Sequence, residues 1–161
     1  DDNPLGESKH FRFRDPPAVL INGEGRWRID PNNNNCAYGE AVLAVGLVDE
    51  YGYSNCPSGN SSVTFGGGNT ASGDHLSVLG GYKNKASGFA SSVSGGLANI
   101  ASGPESFVSG GVYNEASRYS SSVSGGEENQ ATGRAASVSG GSKNTAQGER
   151  STVSGRSDSI G

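Results

Sequence analysis

A valine stands every 15 residues through the second part of this chain, at Val63, Val78, Val93, Val108, Val123, Val138 and Val153. Around this column the same phrase returns in register. Ala71, Ala86, Ala101, Ala116, Ala131 and Ala146 make a second column, and Asn69, Asn84, Asn99, Asn114, Asn129 and Asn144 make a third. Paired glycines, as in Gly80-Gly81 and Gly95-Gly96, complete a consensus of A-S-G-x-x-S-S-V-S-G-G-x-x-N-x. Such self-similarity at a fixed short period is the signature of a stacked repeat architecture.

The phrase cannot be a helical repeat, because each glycine costs about 1 kcal/mol in a helix relative to alanine. The S-V-S triplet alternates polar, apolar, polar, as a short strand with one buried face does. Gly-Gly then permits positive φ at a turn. The asparagine has two readings: a ladder in which each amide bonds its neighbour one coil away, or a left-handed turn residue. Each 15-mer is thus one coil of strand, turn, short strand and turn. Coils stack about 4.8 Å apart, so six or seven give a rod of roughly 30 Å. The expected fold is all-β: a parallel β-solenoid, or β-roll, of about seven 15-residue coils over 56–161 with a short N-terminal extension.

In this fold the valines stack inside on valines and the alanines face them. The variable slots face solvent and change freely in size and charge. Phe89, Leu97, Phe107, Val112, Tyr113 and Tyr119 gather in the middle coils and are the expected contact surface. One valine and one alanine per coil bury little against the entropy of ordering the coil. Further burial against a partner chain, as a homotrimer or a filament, is therefore expected.

Composition supports order of this unusual kind. The chain has 161 residues, 27 of them glycine, and is only 32% hydrophobic, where an ordinary domain is roughly half apolar. Its net charge is only −4, whereas disorder from low hydrophobicity usually comes with high charge. No basic stripe suits a phosphate backbone, so nucleic acid is not an expected partner. The longest apolar run, 41–48, is strand-sized and far short of the roughly 20 residues of a membrane-spanning helix. A chain that starts DDNPLG and has no Met reads as a processed mature protein or an excised fragment.

The region before the repeats divides at 35. In 1–35, HFRFRD (10–15), AVLI (18–21) and RWRID (26–30) resemble strands, with Pro16-Pro17 and Asn22-Gly23 as turns and a loop at 31–36. This segment reads as a cap on the first coil, as an arm adding a strand to a neighbouring subunit, or as a flexible tail. Residues 36–55 read as thicker first coils. Cys36 and Cys56 are expected to form a disulfide of a secreted protein; the other reading is two buried thiols. Asn60-Ser61-Ser62 is an N-glycosylation sequon, or else an unmodified surface turn. At the far end, 154–161 lose the repeat columns and read as a worn last coil or a cap.

No catalytic constellation emerges. His10 and His75 have no motif around them, the glycine pairs lack the Lys and Ser/Thr of a phosphate loop, and the adjacent Glu127 and Glu128 suit a solvated turn. No enzyme activity, metal or other cofactor is expected. The repeat resembles the head repeats of trimeric autotransporter adhesins, the YadA-like type, over residues 56–161. That resemblance implies a left-handed parallel β-roll, usually three chains together, with adhesion to surfaces or host glycans. This chain differs from the family pattern in having 15 residues where the family has 14, and S-V-S-G-G in place of S-V-A-I-G, so that Gly95 stands at the isoleucine position. The expected function is a secreted, self-associating structural rod: a surface fibre or adhesin-like subunit. The alternatives are a phage tail-fibre or receptor-binding segment, and an ice-binding solenoid built on pairs such as Ser92/Ser94 and Ser122/Ser124.

Overall fold

The computed structural model describes residues 18–22, 25, 26, 36, 39, 40, 42–46, 53–155 and 157. Among them every regular element is a β-strand, and the repeats stack as a parallel β-solenoid. Each coil gives one strand to each of two sheets. The first sheet holds β3 (Leu43–Val45), β5 (Val63–Phe65), β7 (Ser77–Val78), β9 (Ser92–Val93), β11 (Phe107–Val108), β13 (Ser122–Val123), β15 (Ser137–Val138) and β17 (Thr152–Val153). The second holds β4 (Cys56–Pro57), β6 (Thr70–Ala71), β8 (Lys85–Ala86), β10 (Ile100–Ala101), β12 (Glu115–Ala116), β14 (Gln130–Ala131) and β16 (Thr145–Ala146). A third column of single parallel bridges runs Gly67, Tyr82, Leu97, Val112, Glu127, Ser142, Ser157.

The pleat explains the interior. Val93 and Ala101 are fully buried, while their strand partners Ser92 and Ile100 point outward. The same holds coil after coil, from Val78 to Val153 and from Ala71 to Ala146. A further interior column has Ser62, Leu76, Ser91, Ser106, Ser121 and Ala136. The first serine of S-S-V thus faces inward, and the presence of Leu76 and Ala136 in that column is the sequence signal for it.

Val63 is a correction. It pairs with Ser77, and Thr64 pairs with Val78, so Thr64 and not Val63 occupies the buried column. The 15-residue interval therefore slips once. Pro57 is in register with Ala71, 14 residues on, and Asn69 binds Asn55, also 14 residues away. The coil that starts at Asn55 is one residue short between Thr64 and Gly66. Aligning Asn55-Cys-Pro-Ser-Gly59 with Asn69-Thr-Ala-Ser-Gly73 would have shown this; aligning on valine hid it.

The coil before it is longer. Leu43 pairs with Val63 and Ala44 with Thr64, 20 residues apart. Cys36 and Cys56 are also separated by 20, and they form a disulfide with Cα atoms 5.6 Å apart. The two cysteines hold equivalent places in successive coils, so the disulfide is a covalent rung parallel to the backbone ladder. At the same end β1 (Ala18–Asn22) pairs antiparallel with β3 and forms a hairpin with β2 (Gly25–Arg26). The N-terminal edge of the first sheet is thereby covered by the chain's own strand. The expected strand 10–15, the turn 16–17, the rest of RWRID at 27–30, the loop 31–35 and the end 158–161 lie outside the described residues.

The glycine pair is not symmetric. Gly96 has φ of 89°, and a Cβ there would stand 2.2 Å from the Gly111 carbonyl oxygen in the next coil. At Gly95 the nearest atom would be 3.9 Å away. Gly96→Ala is expected to cost about 3 kcal/mol or more, and Gly95→Ala about 0.5 kcal/mol or less, in denaturant titrations. Comparable losses at both positions would contradict this packing. The Thr64 hydroxyl is buried without a hydrogen-bond partner, in a column where later coils carry valine. Thr64→Val should raise stability by about 1 kcal/mol, read as a higher denaturation midpoint. A lower midpoint would show that the hydroxyl is satisfied.

Candidate functional site

The deepest polar feature is the asparagine column. Asn84, Asn99, Asn114 and Asn129 are buried, and each side chain joins two coils. The Asn99 Oδ1 accepts the Asn114 backbone N–H at 2.9 Å. Its Nδ2 donates to the Gly95 carbonyl in its own coil and the Gly111 carbonyl in the next, both at 2.9 Å. The pattern begins one coil earlier than the sequence column suggests, with Asn55, whose Oδ1 accepts the Asn69 N–H. It continues to Asn144, whose N–H donates to the Asn129 Oδ1.

This settles the two readings of the column. It is a ladder, but it runs from backbone N–H to side-chain oxygen rather than only from amide to amide. None of these asparagines has positive φ. The left-handed residue is the one just before each asparagine: Lys83, Ala98, Tyr113, Glu128 and Lys143, with φ between 52° and 56°. The opposite corner repeats the device at His75, Ala90, Glu105, Ser120, Ala135 and Arg150. A left-handed non-glycine residue costs about 1–2 kcal/mol. Each is held by a rung: Ala98 N–H donates to the Tyr82 carbonyl, and Ala90 N–H to the Asp74 carbonyl.

These corners decide what the surface presents. Phe89 and Tyr119 stand on the corner between the alanine strand and the valine strand, while Leu97, Val112 and Tyr113 stand on the corner that precedes asparagine. Phe107 lies on the first sheet itself, in β11. The six residues expected to form one contact surface are therefore distributed over three sides. Leu97 and Val112 are half-buried, stacked in the bridge column between Tyr82 and Glu127. Phe89, Tyr113 and Tyr119 are exposed at 56%, 57% and 44%. Leu79, which the sequence grouping omitted, is exposed at 54% beside the same sheet as Phe107.

Neighbouring coils join through these outer side chains. The Lys83 ammonium lies 4.3 Å from the Tyr53 ring centre and 4.9 Å from that of Tyr82. His75 meets Phe89 edge to face at 5.6 Å. Arg134 lies over Tyr119 at 5.5 Å and pairs with Glu149 at 3.3 Å. Such exposed contacts contribute little stability each; they order the corners. Charge stays on the corners and on the second sheet. On the first sheet the outward residues from Ser92 to Ser154 are serines, Thr152 and Phe107, and Ser122 Oγ donates to Ser137 Oγ at 3.2 Å. Among the described residues no group of three or more His, Cys, Asp or Glu is placed to hold a metal ion, and no helix is long and apolar enough to cross a membrane.

The arrangement defines a class, a disulfide-clamped β-solenoid with an asparagine ladder. No protein-family model matches the chain, and no curated protein matches its sequence.

Asn99→Ala would leave the Asn114 N–H and the Gly95 carbonyl without a partner, while the Gly111 carbonyl keeps the Leu97 N–H. At about 1–3 kcal/mol for each orphaned group, a loss of several kcal/mol is expected. Hydrogen exchange gives the local check: the Asn114 amide should lose protection while the Asn144 amide, two rungs on, keeps most of its own. Uniform loss along the column would mean that the coils do not open locally.

Proposed function

We propose that this chain is a non-enzymatic, extracellular structural rod that associates with copies of itself in a surface fibre or an adhesin-like assembly. The observation that carries this reading is the inverted placement of side-chain size. Valine, alanine, serine and asparagine fill the interior, whereas Phe89, Tyr113, Tyr119, Leu79 and Phe107 stand outside. Exposed apolar side chains of this size on a rigid, regular support favour contact with another surface. Their distribution over three sides suits a rod packed among several neighbours better than a rod with one partner. The disulfide agrees with an oxidising, extracellular setting. The resemblance of the repeat to trimeric adhesin heads points the same way, with host or surface glycans as candidate targets.

Leu79 and Phe107 also weigh against the ice-binding alternative, because they project from the sheet whose serine pairs would have to lie flat against ice. The phage-fibre alternative shares the self-associating rod and differs in what the assembly is attached to.

Light scattering and electron microscopy of the purified chain test the proposal. The wild type should form trimers or filaments at micromolar concentration. A Phe89→Ser, Phe107→Ser, Tyr119→Ser variant should shift to monomer with its β-sheet circular dichroism unchanged. A wild type that stays monomeric at millimolar concentration, with no thickened or extended particles, would overturn the reading.

A further inference from the structure

We propose that Asn60 accepts an N-linked oligosaccharide, and that it does so only before its own coil closes. This rests on the secretory route implied by the proposed function. Asn60 is exposed on the same corner column as Asp74, where later coils carry Phe89, Pro104, Tyr119, Arg134 and Glu149, so groups of any bulk fit. Its Oδ1 accepts the Glu40 N–H at 2.9 Å, and its backbone N–H donates to the Asp74 Oδ1 at 2.9 Å. Its Nδ2 donates to no group among the described residues.

The chemistry is compatible with these bonds. Transfer from a lipid-linked oligosaccharide pyrophosphate forms a bond between Asn60 Nδ2 and the sugar's anomeric carbon. The carbon–oxygen bond to the pyrophosphate breaks, its electron pair leaves with the lipid pyrophosphate, and Nδ2 loses one proton to base. The product is still an amide, with its oxygen free to accept the Glu40 N–H. The glycan therefore leaves the folded rung intact.

The other half of the sequon is sealed. The Ser62 hydroxyl, which a transferase must read, is fully buried and donates to the Gly59 carbonyl at 2.7 Å. Ser61 between them is left-handed, with φ of 55°. The folded corner thus displays the acceptor nitrogen and hides the recognition hydroxyl. Cys56, four residues before Asn60, adds a clock, since closing its disulfide with Cys36 draws the same coil shut.

Two measurements test this. The full chain is secreted from a eukaryotic cell and weighed before and after treatment with a peptide N-glycosidase. One glycan at Asn60 is expected, lost in Ser62→Ala and kept in Ser61→Ala. Ser62→Ala should fold, because Ala136 fills the same interior column in a later coil, and circular dichroism verifies it. Separately, unglycosylated chain is offered to purified transferase with its lipid-linked donor, either folded or reduced and unfolded. Modification of the unfolded chain at least tenfold faster is expected. A secreted chain without glycan at Asn60, or equal rates in the two states, would overturn the proposal. Because the second assay needs no secretion, its outcome is independent of the fibre reading; filaments that form without glycan would leave that reading standing.

Discussion

The side-chain amide of asparagine holds this fold together. Backbone rungs join successive coils along the strands and at the corners, but the turn at the glycine pair leaves the first glycine's carbonyl and the asparagine N–H without a backbone partner. Each ladder asparagine satisfies two such groups and gives a second bond to a glycine carbonyl of the next coil, as Asn99 does with Gly95, Asn114 and Gly111 in turn. Buried polar groups left unpaired cost more than the bonds return when made. The column is therefore a condition for stacking. It also dictates its neighbours: the second glycine of each pair approaches the next coil so closely that no side chain fits.

The corners show how a repeat can combine strict geometry with free sequence. Besides the second glycine of each pair, two residues in each regular coil are left-handed, and they are Ala, Lys, Tyr, Glu, Ser, His or Arg. The rung bond from each N–H to the preceding coil holds that conformation whatever the side chain. Side chains there point outward and can vary, which is why aromatic and charged groups accumulate on the corners while the first sheet stays nearly free of charge. The side chains that vary most between coils thus stand at or next to left-handed backbone positions.

The sequence disclosed much of this because periodicity reports pleat and stacking directly. The S-V-S alternation and the alanine column announced which residues would be buried, and from Val78 onward they are. What it hid has physical causes. The valine spacing places Val63 inside because a one-residue deletion between Thr64 and Gly66 leaves that spacing unchanged while shifting the strand. A slip of one reverses which side chain faces in. The inward serines leave little mark on the pattern, because a polar residue in an interior column is visible only through its apolar replacements, Leu76 and Ala136. The contact residues looked like one cluster because they are close in sequence, but in a coil of 15 residues closeness along the chain says little about which side a residue faces.

The disulfide between equivalent positions of successive coils gives the rod a direction of wear. A linear array holds each coil only through its two neighbours, so disorder enters from an end and advances coil by coil. Here the coil carrying Cys56 is bound to the one before it by a covalent bond as well as by hydrogen bonds, and β1 closes the edge beyond. The regular coils on the far side have no such clamp among the described residues. Heat, tension or a protease would then open the unclamped coils before the clamped pair, and what survives longest would carry the disulfide, β1 and Asn60.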